Sequence, residues 1–371
     1  MTNALAIAHQ TRSPHQLPTA VIYCEGFLGT LDGKTANGLI QHSQAYRIVS
    51  VIDAQYAGQD SGEVVHGKAN GIPVVADLAA ALIAMPGVFI YGMAPITGIL
   101  SAPDRAVVSQ AITYGMDIVS GLHEFLADDP VFSVQAKAHQ VTLRDIRKPK
   151  ASQDLRTFDG SISQVQAIRI AILGTDCAIG KRTTAQVLKR ALNDQGIATA
   201  LVTTGQTGLM QGGRHGIAMD AIPAQFAAGE LEGCILNLQA EAHPAVILIE
   251  GQGALSHPAF CTSALILRGS QPQGVILQHA PKRQVRCDFP TMEMPSLQDE
   301  IHLIETFCRT RVIGITLNHE GMNDAELQQT LTQIRLEFGL PVCDAWVHSD
   351  ADIAAMITQA FPEVMPAPAF A

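Results

Sequence analysis

The residues whose types and spacing can do chemistry start at Gly174. The stretch Ile170-Ala171-Ile172-Leu173-Gly174-Thr175-Asp176-Cys177-Ala178-Ile179-Gly180-Lys181-Arg182-Thr183-Thr184 reads as a buried strand, a loop bracketed by two glycines, and a lysine followed by hydroxyls that open a helix. That order suits phosphate. Backbone N–H groups of such a loop wrap the oxygens, the helix N-terminus adds partial positive charge, and a lysine supplies a point charge. Gly174, Thr175, Asp176, Cys177, Gly180, Lys181, Arg182, Thr183 and Thr184 are therefore the candidates for holding a phosphate-bearing cosubstrate, with Lys181 read as a charge on a solvent-facing loop. Two features depart from the ordinary pattern: five residues separate the glycines instead of four, and Arg182 stands where Ser or Thr usually follows the lysine. The competing reading is a strand-to-helix turn with an incidental lysine. Cys177 sits where a helix N-terminus can lower a thiol's pKa, although simply filling the loop is the plainer role.

Further reactive residues follow other strand-like runs. Ile247-Leu248-Ile249 delivers Glu250, an acid that could position Mg²⁺ or accept a proton. His279 follows the strand-like run that ends at Leu277, and His319 follows another that ends at Leu317; each could move a proton near neutral pH or be merely structural. Arg214, Lys282, Arg283 and Arg286 are cations able to receive carboxylates, and together they would suit a substrate with two. Glu250 and His279 are the catalytic candidates. The remaining histidines, His257 among them, show no ligand-like spacing and there is no zinc motif, so no metal is assigned.

For these groups to meet, the strands that carry them must be parallel. After the glycine loop, strand patterns at Ala198 to Thr204, Ala245 to Ile249, Gly274 to Leu277 and Val312 to Leu317 alternate with helical patterns such as Pro223 to Leu238 and Asp324 to Phe338. This alternation implies a mostly parallel sheet covered on both faces, with ligands beyond the carboxyl ends of its strands. The first half repeats the design: strand Ala20 to Cys24, a loop with Gly26 and Gly29, a helix from about Thr35, strand Arg47 to Ile52, then Asp53. An acid there can contact a ribose, or can only cap the next segment; the full glycine fingerprint is missing. Further strands are expected at Ile72 to Val75, Val88 to Tyr91 and Asp117 to Val119. The fold class is α/β, a Rossmann-like N-terminal domain plus a P-loop NTPase-like C-terminal domain with a mostly parallel sheet. The expected boundaries are 19–133 for the Rossmann-like domain, 134–166 for a connector, 167–361 for the P-loop domain and 362–371 for a mobile tail. The basic run Arg144 to Lys150 falls in the connector, as solvated surface or leaning over the phosphate site.

Composition narrows the partners. With 371 residues, 47% of them apolar, there is core for two domains, and a formal net charge of −10 would repel nucleic acid and anionic membrane alike. The uncharged run Leu78 to Leu100 is punctuated by Pro86, Gly87, Gly92, Pro95 and Gly98, and parses as helix, turn, strand and loop, not as a membrane span. Seven cysteines without a CxxC pair, and no export signal near the first residue, lead us to expect reduced thiols in the cytoplasm. The expected partners are a small-molecule substrate and further copies of the chain, with no nucleic acid and no membrane.

The glycine-loop first half, the Arg144-Asp145-Ile146-Arg147-Lys148-Pro149 segment, the GTDCAIGKRTT loop, the TTGQTG segment and the IEGQGAL strand end together resemble one two-domain family. That family was long labelled as of unknown function, and its P-loop half is similar to dethiobiotin synthetase. Some members are assigned as D-glutamate N-acetyltransferases, which use acetyl-CoA in D-amino-acid catabolism. The resemblance spans nearly everything after about residue 19 and carries over the loop Gly174 to Thr184 and the acid Glu250. It implies acetyl-CoA as cosubstrate, with the loop turned from a nucleotide's terminal phosphate to the phosphates of CoA. Arg182 in place of a Mg²⁺-binding hydroxyl is consistent with this. Two alternatives stay open: a ligase or kinase using ATP and Mg²⁺ on a small carboxylate, with Thr183 or Thr184 serving the metal, and a non-catalytic nucleotide-binding regulatory protein.

Overall fold

The computed structural model describes residues 17–366, which divide into two compact units. The first runs to Pro149 and also takes in the later segment Gln206–Arg214. Its strands are β1 (Thr19–Tyr23), β2 (Arg47–Ile52), β3 (Val74–Val75), β4 (Val88–Tyr91), β5 (Asp117–Ser120) and β6 (Leu143–Asp145). They pair in parallel in the order β3-β2-β1-β4-β5-β6, the Rossmann arrangement, whose direction of growth reverses between β1 and β4. Helices cover both faces, so Val21, Ile22, Phe89, Ile90 and Ile118 are all fully buried and the strands read as apolar runs with no alternation.

The strand ends at that reversal are committed to structural bonds. The hydroxyls of Tyr23 and Tyr91 donate to the two oxygens of Asp104, at 3.0 and 3.1 Å. Asp53 accepts from Leu28 N at 3.1 Å and Gln55 N at 3.0 Å, closing the glycine loop and capping the turn Ala54–Tyr56. Of the two roles open to Asp53, the geometry favours the cap. Gly26 and Gly29 have φ of +72° and +79°, which the turn requires.

The second unit comprises Lys150–Gly205 and the chain from His215 onward. Its strands are β7 (Ile168–Gly174), β8 (Thr199–Val202), β9 (Val246–Glu250), β10 (Gly274–His279), β11 (Val285–Arg286), β12 (Phe289–Glu293), β13 (Val312–Leu317) and β14 (Val342–Asp344). β11 and β12 form a separate antiparallel hairpin; the others make a parallel sheet in the order β14-β13-β10-β7-β9-β8. The period-2 geometry of a strand sorts its apolar residues onto two cores. Ala171 and Leu173 join the core under helix Ala224–Ala242, while Ile170 and Ile172 face the core under helix Lys181–Asp194. The latter helix contributes Ala185, Leu188 and Leu192 to its core, and cutting Leu188 back to Ala would cost about 2–5 kcal/mol. Register sets Ile172 beside Glu250 and Gly174 beside Gln278, so β7, β9 and β10 deliver their carboxyl ends together.

Residues 134–166, expected as a connector, are divided. Those up to Pro149 belong to the first unit and supply β6, whereas 150–166 pack with the second. Two buried carboxylates on helix Ala224–Ala242 hold the latter: Glu230 accepts from Arg156 N at 2.7 Å, and Glu232 from Asp159 N at 3.1 Å and Ile162 N at 3.0 Å. Of the expected tail, Pro362–Val364 forms a short 3₁₀ turn with Val364 buried, and 367–371 lie outside the described residues. The run Leu78 to Leu100 does contain helix, turn and β4, and no helix among the described residues is long and apolar enough to cross a membrane.

Candidate active site

The phosphate-loop candidates form a single turn at the carboxyl end of β7. An added Cβ on Gly174 would lie 2.8 Å from the end of the Ile179 side chain, 3.0 Å from the Lys181 stem and 3.2 Å from the Gln278 carbonyl, so the loop packs closely over the end of its own strand. Gly180, at φ +102°, starts helix Lys181–Asp194, and Ala178 holds φ +49°. Positive φ at a non-glycine residue is costly and is typical of functional loops. Lys181 is not solvent-facing. It is only 6% exposed, its Nζ donates to the carbonyl of Asp176, and burial pushes its pKa down against the raising effect of Cys177, Asp176 and Glu250. A buried ammonium that leans on one carbonyl is incompletely compensated, and an anion in the loop would complete it.

Arg182 Nη1 lies 3.0 and 3.2 Å from the two oxygens of Glu250, which also accepts from Thr204 N at 3.3 Å. Glu250 is thereby engaged on both oxygens. The Thr184 hydroxyl donates to Gln278 Oε1 at 2.6 Å, and the Thr316 hydroxyl donates to the same atom, which ties the helix start to β10 and β13; Thr183 is half-buried. His279 Nδ1 is 2.9 Å from the Thr175 hydroxyl, and burial pushes its pKa down to about 4, which keeps the ring neutral at pH 7. His279 also lines a cavity of about 690 Å³ with Arg283, Met294, Leu297, Ile334 and Phe338, a size suited to a small-molecule ligand.

The four cations proposed for carboxylates separate. Arg283 clamps the loop: it donates to Asp176 Oδ2 at 3.1 Å and the Cys177 carbonyl at 2.8 Å, and pairs with Glu320 at 2.8 Å. Lys282 pairs with Glu326 at 2.6 Å on the exposed surface. Arg214 belongs to the segment that packs with the first unit. Arg286 is buried; its Nη2 donates to Ser256 Oγ at 3.0 Å, and its Nη1 has no hydrogen-bond partner among the described residues. His319 Nδ1 lies 2.8 Å from the buried Asp344.

One residue at this site had no sequence signal in its spacing. His257, 80 positions beyond Cys177, comes to the phosphate loop, where Asp176, Cys177 and His257 place their ligand atoms within 4.8 Å of one another. The general rule that loops after parallel strands meet at one edge could have found it, since His257 lies in the loop after β9 as His279 lies at the end of β10.

Comparison with known proteins agrees with this architecture. Residues 54–149 match the DUF1611_N Rossmann-like domain and residues 156–354 the DUF1611 P-loop domain, both described as domains of unknown function. A crystal structure of a DUF1611 family protein from Anabaena variabilis superposes with a TM-score of 0.85 at 30% identity, covering 92% of this chain and 99% of that one. A D-glutamate N-acetyltransferase from Pseudoalteromonas is 32% identical over 69% of this chain and 76% of its own length. Another from Tritonibacter scottomollicae is 31% identical over 70% and 77%.

Proposed function

This chain belongs to the two-domain DUF1611 family, and from that premise we propose that it transfers the acetyl group of acetyl-CoA to the amine of D-glutamate. The name carried by two relatives at 31–32% identity supports the reaction class. The observation that carries the choice of cosubstrate is the Arg182–Glu250 pair. In an ATP enzyme the residue after the loop lysine and the acid of the neighbouring strand would serve Mg²⁺; here they neutralise each other, and Thr184 is spent on Gln278. CoA needs no metal.

In this reading the phosphates of CoA take the N–H groups of residues 176–180 and the charge of Lys181, the Thr175 N–H being donated to the Gln278 carbonyl. His279 acts as general base in preference to Glu250, whose oxygens are engaged. A ring of low pKa has an open lone pair at pH 7, and the negative charge of bound cosubstrate would raise its basicity. Arg286 offers its unspent Nη1 to a carboxylate of the acceptor. The bond from acetyl carbon to sulfur breaks, the bond to nitrogen forms, and the amine's proton leaves through His279 to the sulfur. Seven cysteines without a disulfide suit a reducing cytoplasm.

The test is CoA release from acetyl-CoA with D-glutamate, L-glutamate, D-aspartate and D-alanine, in excess EDTA. D-Glutamate should react well above D-alanine, which would leave a carboxylate contact unfilled. Equal rates would remove the two-carboxylate site, and no release with any amine would remove the transferase. Activity only with ATP and Mg²⁺ would move the assignment to a ligase.

A further inference from the structure

Asp176 Oδ1 and His257 Nε2 are both buried, both lack a hydrogen-bond partner among the described residues, and lie 3.9 Å apart. Asp176 is fully buried and His257 is 5% exposed. Their neighbour is the sulfur of Cys177, within 4.8 Å of each. Such a triplet could serve a metal ion or a thiol, and the state of the imidazole decides between them. His257 Nδ1 accepts the N–H of Ala259 at 3.2 Å, so its lone pair is used and the ring hydrogen sits on Nε2. A metal would need the Nε2 lone pair, with Nδ1 donating to a partner. The ring is set the opposite way. It presents a donor, and the groups it faces are the Asp176 carboxylate, 3.9 Å away, and the thiol of Cys177, which needs that donor once it becomes an anion.

Other features point the same way. Phe260 and Phe289 pack on the ring at 4.6 and 5.3 Å between centroids and fix its direction. The loop lies at the start of the 14-residue helix Lys181–Asp194, and the buried Lys181 is close enough to feel the charge of Cys177. The Asp176 oxygen that faces His257 is the one left over: Oδ2 is occupied by Arg283 and by Cys287 N at 2.7 Å.

We propose that Cys177 is the nucleophile that carries the acetyl group between CoA and the amine. The thiol proton passes to Asp176 Oδ1, and the thiolate, stabilised by His257 Nε2–H, attacks the carbonyl carbon of acetyl-CoA. The carbon–sulfur bond to CoA breaks, and CoA leaves as a thiol with the proton held by Asp176. The acceptor amine then attacks the acetyl-cysteine, the carbon–nitrogen bond forms, the bond to Cys177 breaks, and the amine's proton returns to the cysteine through His279. No oxidation is involved, and a thioester exchanged for a thioester is neither trap nor barrier. Cys177 is the catalytic residue; His257 acts through it, as a positioning residue. The inference rests on acetyl-CoA being the donor.

The experiment treats the full chain with acetyl-CoA alone, quenches in acid and maps peptide masses. We expect one equivalent of CoA released in a burst and one acetyl increment on the peptide containing Cys177, removable by hydroxylamine, with parallel-line kinetics against both substrates. Cys177→Ala and Cys177→Ser should lose the label and on the order of 10³-fold in transfer while keeping the thermal shift produced by CoA. His257→Ala should slow iodoacetamide alkylation of Cys177 at pH 7 and move its pH profile upward. Unlabelled wild type that still releases CoA with an amine, or a Cys177→Ala protein of undiminished rate, would overturn the relay and leave the transferase standing. No CoA release with any amine would bring down both.

Discussion

Arg182 and Glu250 meet across the site, 3.0 Å from Nη1 to Oε1, and so join the first turn of the phosphate-loop helix to the end of β9. The pair is largely buried, at 16% and 10% side-chain exposure, so neither charge is easily left alone. Arg182→Ala should destabilise the second unit by about 2–4 kcal/mol in urea unfolding, because Glu250 would keep only its bond from Thr204 N. The double variant Arg182→Ala/Glu250→Ala should recover part of that loss. Additive losses would show that the two do not interact.

Lys181→Ala removes a buried charge whose own hydrogen bond is to one carbonyl. Stability should be unchanged or slightly raised, whereas CoA affinity measured by calorimetry should fall by about 1.5–3 kcal/mol, the cost of a charge-assisted contact. Unchanged affinity would mean that the loop is only a turn.

His279 makes stability depend on pH with a defined sign. Its pKa lies near 4 in the fold against 6.5 unfolded, so between these values the unfolded chain binds a proton that the folded one does not. Stability should be full above about pH 6.5 and fall by up to about 3 kcal/mol as pH drops toward 4. His279→Asn should flatten that part of the profile. A wild-type midpoint that does not move between pH 7 and 4.5 would contradict the burial of the ring.

Arg286→Met should raise KM for D-glutamate by about tenfold or more and leave KM for acetyl-CoA alone, since the loss is a single carboxylate contact. A parallel rise in both would make Arg286 part of the cosubstrate site instead.

Much of this was legible in advance because parallel sheets impose simple patterns. Arg47–Ile52, Val88–Tyr91, Val312–Leu317 and the helix Asp324–Phe338 lie where apolar runs and their boundaries put them. The glycine spacing around Cys177 marked the loop. What escaped was short or depended on partners far along the chain. β14 has three residues and β6 sits in a polar stretch; each is held by a neighbouring strand, with little propensity of its own. Lys181 looked like a surface charge because nothing local says that the loop folds over its stem. Which cation was already paired could not be read either, since Glu320 and Glu326 reach Arg283 and Lys282 from another loop and helix.

The segment Gln206–Arg214 has a consequence for the order in which the chain can fold. Met210 is one of the buried residues of the first unit's core, the Thr207 hydroxyl lies 3.2 Å from that of Thr35, and Gln211 donates to the carbonyl of Gly38. As the protein emerges from the ribosome, the first 149 residues therefore lack a piece of their own interior. That piece arrives only after the phosphate loop and β8 have been made. A gene fragment ending at Pro149 would encode the Rossmann sheet without Met210 in its core, and without the contacts that Thr207 and Gln211 make to the helix Lys34–His42.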